Sequence, residues 1–191
     1  QHVVFSGVKL EAMPLSRDHK PDDPKEKRRI KQGGGNVISL AGQPARVFAP
    51  GTAFGLAVSR SLGDFALAPH VSCEPDLTEH RIEERDLFAI WASDGVWEYI
   101  SNAEAIKIVV NEMVRAGGPN KVDLDAAARV LCGRARELWR TKTGGAYQDD
   151  ITCVIAQFHP LPPKLQELKR RKKTLSRTQS DGVASTSTEI L

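Results

Sequence analysis

Apolar residues alternate, cluster or recur at helical spacing along this chain, and those patterns predict most of its elements. His2 to Ser6 and Lys9 to Leu15 read as extended segments joined at Gly7. Asp23 ahead of Pro24, with Glu26 in the next turn, makes a capping-box helix start, and Gly33-Gly34-Gly35 ends that helix. Asn36 to Leu40 and Arg46 to Phe48 are short strand candidates. Leu56 to Gly63 fits a strand end or a short helix, the helical turn being preferred. His70 to Cys73 and Leu77 to Ile82 read as extended around a Pro75-Asp76 turn, and the mixed polarity of the second marks an edge.

Leu87 to Ala92 is apolar throughout, the pattern of a central strand. Ser101 and Glu104 open a helix on which Ile106, Val109, Val110, Met113 and Val114 repeat until Gly117-Gly118. Leu124, Ala127, Leu131, Ala135, Leu138 and Trp139 stripe another, with Arg129, Arg134, Arg136 and Arg140 on its polar side. Ile151 to Phe158 is the last strand. Helical crossovers between the early strands are missing, so the pattern predicts an α+β fold with mostly antiparallel sheet.

Length allows one domain and a tail. A domain of about 150 residues buries roughly 70% of its unfolded surface, enough for a proper core. Opening on Gln1 rather than Met, the 191 residues read as a processed product or a fragment of a longer one. The net charge of +3 is unevenly spread: the segment from His159 onward carries +4, which leaves the rest at −1. With the folded part nearly neutral, no nucleic-acid surface is expected there. The basic run Lys169 to Lys173 reads as a solubilising stretch, an import signal or a contact for an anionic surface. Thr174, Ser176 and Ser180 near it are candidate phosphorylation sites. With its prolines and few apolar residues, 159–191 is expected to be a disordered tail. Cys73, Cys132 and Cys153 show no paired spacing and read as free thiols. The chain has no apolar run of membrane-spanning length and no signal-peptide pattern, so a cytoplasmic or nuclear monomer is expected.

Chemistry concentrates where apolar strands meet carboxylates. Phe88 to Ala92 runs straight into Ser93-Asp94-Gly95, and Asp149-Asp150 immediately precedes Ile151. Taken alone, Asp94-Gly95 is also a turn dipeptide and Asp149-Asp150 a solvated strand start. Together they can bring carboxylates to one rim of a sheet, and oxygen-only ligation suits magnesium or manganese. Alternation along a strand lets at most one of Asp149 and Asp150 share a site with Asp94, and parity leaves open which.

The motifs Gly55-Leu-Ala-Val-Ser-Arg60-Ser-Leu-Gly63-Asp64, Glu74-Pro75-Asp76, Ala92-Ser-Asp94-Gly95-Val-Trp97 and Asp149-Asp150-Ile-Thr152, in that order, resemble the metal-dependent protein phosphatases of type 2C (PPM). Ser16 to Asp22 with Glu26, Arg29-Ile30 and Gly33-Gly34 fits the same family, so the likeness covers residues 1–158. The resemblance implies a four-layer sandwich of two antiparallel sheets flanked by helices, incomplete at the amino end. It also implies two Mg2+ or Mn2+ ions, phosphoprotein substrates, and hydrolysis of phosphoserine or phosphothreonine by a metal-bound hydroxide. By the same resemblance Asp94 and Asp149 are metal ligands. Glu98 falls where the family usually has an aspartate at a third metal, and Arg46 falls on an arginine able to approach substrate. Arg60 and Asp64 look structural, as an internal ion pair, and His19 is expected to be a loop residue. The family's early aspartate-glycine-histidine-glycine motif, whose carboxylate bridges both metals, is absent, and a truncated start explains that more simply than loss of the motif. An inactive phosphatase-like interaction protein is the alternative.

Overall fold

The computed structural model describes residues 2–5, 7–115 and 123–165. The fold is α+β, and among the described residues every ladder is antiparallel, the isolated bridge of Arg60 to Ser72 being parallel. Among the described residues the strands form three two-stranded ladders, and the chain divides into two compact units, residues 15–80 and the remainder.

In the smaller unit, helix α1 (Pro24–Gln32) starts as expected, with the Asp23 side chain accepting from the backbone N–H groups of Lys25 and Glu26. Strands β3 (Asn36–Ile38) and β4 (Arg46–Phe48) pair through Val37 opposite Val47. Ile30, Val47, Ala49, Leu67 and Val71 form the core there. Leu56–Gly63 is not a helical turn: Leu56 bridges back to Val47 and Arg60 bridges to Ser72, while a single 3-10 turn follows at Phe65–Leu67. Leu77–Ile82 is not a strand either, since no ladder partner reaches it among the described residues and its side chains stay exposed.

In the larger unit, β1 (His2–Phe5) and β2 (Val8–Glu11) form the hairpin expected from sequence. Gly7 turns it at φ +76°, a left-handed conformation that glycine adopts without strain. Strand β5 (Phe88–Ala92) leads into the single turn of helix α2 (Asp94–Trp97), followed by α3 (Asn102–Arg115), α4 (Leu124–Lys142) and β6 (Cys153–Gln157). Helix α3 opens on the Ser101 hydroxyl, which accepts from Glu104 N–H at 3.2 Å. Its stop at Gly117-Gly118 lies outside the described residues. The apolar stripes of α3 and α4 meet: Val109, Val110, Met113, Leu131 and Ala135 are buried in one cluster. Burying a leucine- or valine-sized side chain fully contributes roughly 1.5–3 kcal/mol, so this contact dominates the unit.

Strand β5 pairs with β6 from Phe88 opposite Gln157 to Ala92 opposite Cys153. Phe88, Ile90, Ala92, Cys153 and Ile155 pack on the helical cluster. Trp91 and Val154, opposite each other on the other face, are exposed, so β5 is not the doubly buried central strand its sequence suggests. Cys132 and Cys153 are free thiols with their sulfurs 3.5 Å apart, and burial raises the Cys153 pKa. Packing continues past the expected boundary at Phe158, because Leu161 and Leu165 are buried in the same core. The rest of the tail, including the basic run, lies outside the described residues.

Candidate functional site

The end of β5 and the approach to β6 are latched through one side chain. Ser93 Oγ donates to the Asp150 carbonyl at 2.7 Å and accepts from Thr152 N–H at 3.1 Å, while Ser93 N–H donates to the Thr152 carbonyl at 3.0 Å. Gly95 fits against the same strand approach. A Cβ there would sit 2.3 Å from the Asp150 carbonyl oxygen, closer than any real contact, so the dipeptide after Ser93 has a packing reason for glycine. Helix α4 clamps the turn from the other side: the buried Trp139 indole donates to the Gly95 carbonyl at 2.7 Å. That ring also meets Tyr99 and Tyr147 edge-on, with centroids 4.7 and 5.5 Å away.

Two segments remote in sequence are thereby held together, and their carboxylates act on one group. The Tyr147 pKa is raised by the negative charge of Asp149 beside it, then by burial, by a hydrogen bond with Asp149, and by the charges of Asp94 and Asp150. Asp94 Oδ1 accepts from Gly95 N–H at 3.1 Å and Asp149 Oδ1 from Asp150 N–H at 2.8 Å. Among the described residues no lysine or arginine forms a salt bridge with either. Strand parity does not choose between Asp149 and Asp150, because β6 begins only at Cys153 and both aspartates precede it.

The other sequence-predicted residues stand as follows. Glu98 is exposed and closes α2, its N–H donating to the Asp94 carbonyl at 2.8 Å. Arg46 lies in the smaller unit, on β4, where its guanidinium donates to the Gly55 carbonyl at 2.8 Å. Sequence reasoning missed Ser93, Trp139 and Tyr147 as parts of the rim. The available signal was position: Ser93 and Tyr147 each lie within two residues of a candidate aspartate.

The donor chemistry suits a hard divalent cation, since Asp94 and Asp149 offer carboxylate oxygens with no salt-bridge partner among the described residues. The set is nevertheless short. Among the described residues no group of three or more His, Cys, Asp or Glu side chains is placed to hold a metal.

A second charged cluster lies wholly within the smaller unit. Glu26 is buried, with Arg60 Nη2 2.6 Å from Oε1 and Arg29 Nη2 2.9 Å from Oε2. The Arg60 hydrogen bond is the main reason its pKa falls from 4.5 to about 2; burial opposes this, and Arg29 and Ser59 add to it. Arg60 also pairs with Asp76 at 2.9 Å, and His19 Nε2 lies 3.0 Å from the other Asp76 oxygen. Hydrogen bonding to His19, then Arg60, lowers the Asp76 pKa. Two expectations are corrected: Glu26 is an ion-pair partner rather than a capping-box acceptor, and Arg60 pairs with Glu26 and Asp76, not Asp64. Asp64 instead accepts from the Ser61 hydroxyl.

With this geometry in hand, comparison with known proteins gives a consistent picture. The family model described as Protein phosphatase 2C matches residues 3–143. A probable protein phosphatase 2C of Oryza sativa subsp. japonica is 38% identical over 154 residues, covering 78% of this chain and 37% of the relative. One of Arabidopsis thaliana is 41% identical over 149 residues, covering 76% and 28%. The chain thus spans well under half the length of these relatives. The crystal structure of a serine-threonine phosphatase 2C from Toxoplasma gondii superposes with a TM-score of 0.65 at 24% identity, over 82% of this chain and 50% of that one, which supports the fold. Among the described residues no helix is long and apolar enough to cross a membrane.

Proposed function

The chain belongs to the protein phosphatase 2C family, and from that premise we propose that it serves the hydrolysis of phosphoserine and phosphothreonine in proteins. In this reading Asp94 and Asp149 hold divalent cations, Mg2+ or Mn2+. The observation that carries the proposal is the latch through Ser93 that brings the segments of Asp94 and Asp149 to one rim, where among the described residues neither carboxylate has a salt-bridge partner. When bound, such ions neutralise a phosphoryl dianion and acidify water. The chain's own residues do the positioning. Ser93 ties the two acid segments together, Gly95 lets them approach, and Trp139 holds the turn that presents Asp94. Tyr147 packs its ring edge-on against Trp139 two residues before Asp149, supporting that approach.

Two carboxylates do not complete a two-ion site, since a single magnesium takes about six oxygen ligands. We therefore expect these 191 residues alone to show no turnover, the remaining ligands coming from sequence outside them. Asp94→Asn in the complete phosphatase is the direct test. It should lower kcat by more than the roughly 10–100-fold that loss of a mere supporting partner costs, and weaken Mn2+ binding measured by calorimetry. Unchanged turnover and Mn2+ affinity in a folded variant would remove Asp94 from the site, and manganese-dependent turnover by the 191 residues would refute the incomplete-site reading.

A further inference from the structure

The same rim borders a groove. Along the C-terminal half of α4, a depression of about 380 Å³ is lined by Arg136, Glu137, Arg140, Tyr147 and Gln148, together with Gly133 and Gly145. Tyr147 belongs to both places: its ring meets Trp139, which clamps the rim turn at Gly95, and it forms part of this wall. Arg136 and Arg140 are exposed and, unlike Arg129 and Arg134 on the same helix, make no salt bridge or hydrogen bond among the described residues. Glu137 does not neutralise them, because its carboxylate is engaged by Arg134 at 2.9 Å. The groove is thus a cationic surface beginning where the acidic rim ends.

We propose that this groove receives an acidic stretch of the phosphoprotein substrate, Arg136 and Arg140 pairing with two acidic residues spaced two positions apart. The spacing follows from geometry. Residues four apart on a helix are displaced by about 6 Å along its axis. Same-side residues of an extended peptide, two positions apart, are displaced by about 6.6 Å. A guanidinium fork suits carboxylates at such positions, and an unpaired one gives up no existing partner to bind. The proposal takes the identification of the ligand as substrate from the phosphatase reading, but the recognition itself needs neither turnover nor metal.

Binding to the 191-residue chain therefore tests it. A fluorescein-labelled, unphosphorylated peptide with glutamates at alternate positions is titrated at low ionic strength and followed by anisotropy. R136Q/R140Q should weaken binding at least tenfold, and R136E/R140E should bind the corresponding lysine peptide instead, a gain that misfolding cannot mimic. Replacing Lys169, Arg170, Arg171, Lys172 and Lys173 by glutamine should leave most of the affinity in place. Equal binding by wild type and R136Q/R140Q overturns the proposal, as does loss of all binding in the tail variant. Asp94→Asn should leave peptide binding intact. Failure of the metal-site reading would appear in turnover and Mn2+ affinity, separately from this binding.

Discussion

Glu26 lies in the first turn of α1 and Asp94 in the first turn of α2, yet Glu26 is buried between two guanidinium groups whereas Asp94 is exposed and pairs with no cation among the described residues. The smaller unit uses its carboxylate to knit α1 to the loop carrying Arg60, with Asp76 and His19 extending the network. The larger unit latches the segments carrying Asp94 and Asp149 through Ser93, and among the described residues neither carboxylate has a salt-bridge partner. Side chains of one chemical type thus divide by environment. A carboxylate saturated by arginine is fixed in place and unavailable, while one held only by its own backbone remains free to take a cation.

The largest effect should come from breaking the saturated cluster. Glu26→Ala removes the carboxylate that Arg60 and Arg29 share, leaving Arg60 to Asp76 and Arg29 to backbone carbonyls, and loss of one partner of a buried pair costs up to about 3–5 kcal/mol; urea denaturation measures it. Acid sharpens the contrast. Because the folded pKa of Glu26 is depressed, its contribution is complete above pH 4.5 and disappears as pH falls towards about 2. That amounts to on the order of 3 kcal/mol. Glu26→Gln should flatten the stability profile across that window, and an unchanged profile would show that the pair contributes nothing.

At the unsaturated rim, Gly95→Ala forces a methyl against the Asp150 carbonyl. Overpacking of this kind costs typically about 1–3 kcal/mol. The thermal midpoint should fall, and Mn2+ affinity of the complete phosphatase should fall with it. The smallest change is Trp139→Phe, which removes the donor to the Gly95 carbonyl and should cost about 1–2 kcal/mol in chemical denaturation. A variant as stable as wild type would mean that the indole packs without clamping the turn.

Local signals carried most of the elements. The Asp23 and Ser101 caps, the apolar stripes of α3 and α4, and the strands ending and beginning near carboxylates all appear where the pattern places them. What failed depended on remote partners. Leu77–Ile82 has strand-like residues, but a strand exists only if another chain segment offers hydrogen bonds. Glu26 satisfies a capping pattern locally, and nothing near it announces Arg60. Asp94 and the pair Asp149-Asp150 were candidates because they flank apolar strands, and only the resemblance chose Asp149 over Asp150. Their latch through Ser93 and their shared influence on Tyr147 arise only once β5 and β6 are aligned.

The β5–β6 ladder also bears on the order of assembly. Both α3 and α4 lie in the segment it closes, so they can form from local contacts while Ala92 and Cys153 are still apart. Closing a long loop carries an entropic cost that slows such pairings relative to helix formation. During synthesis, Asp94 emerges as an ordinary turn residue and has no acidic neighbour across the sheet until translation has passed Cys153. A nascent chain halted before that point would carry the helices and the rim residues, but not the ladder that aligns them.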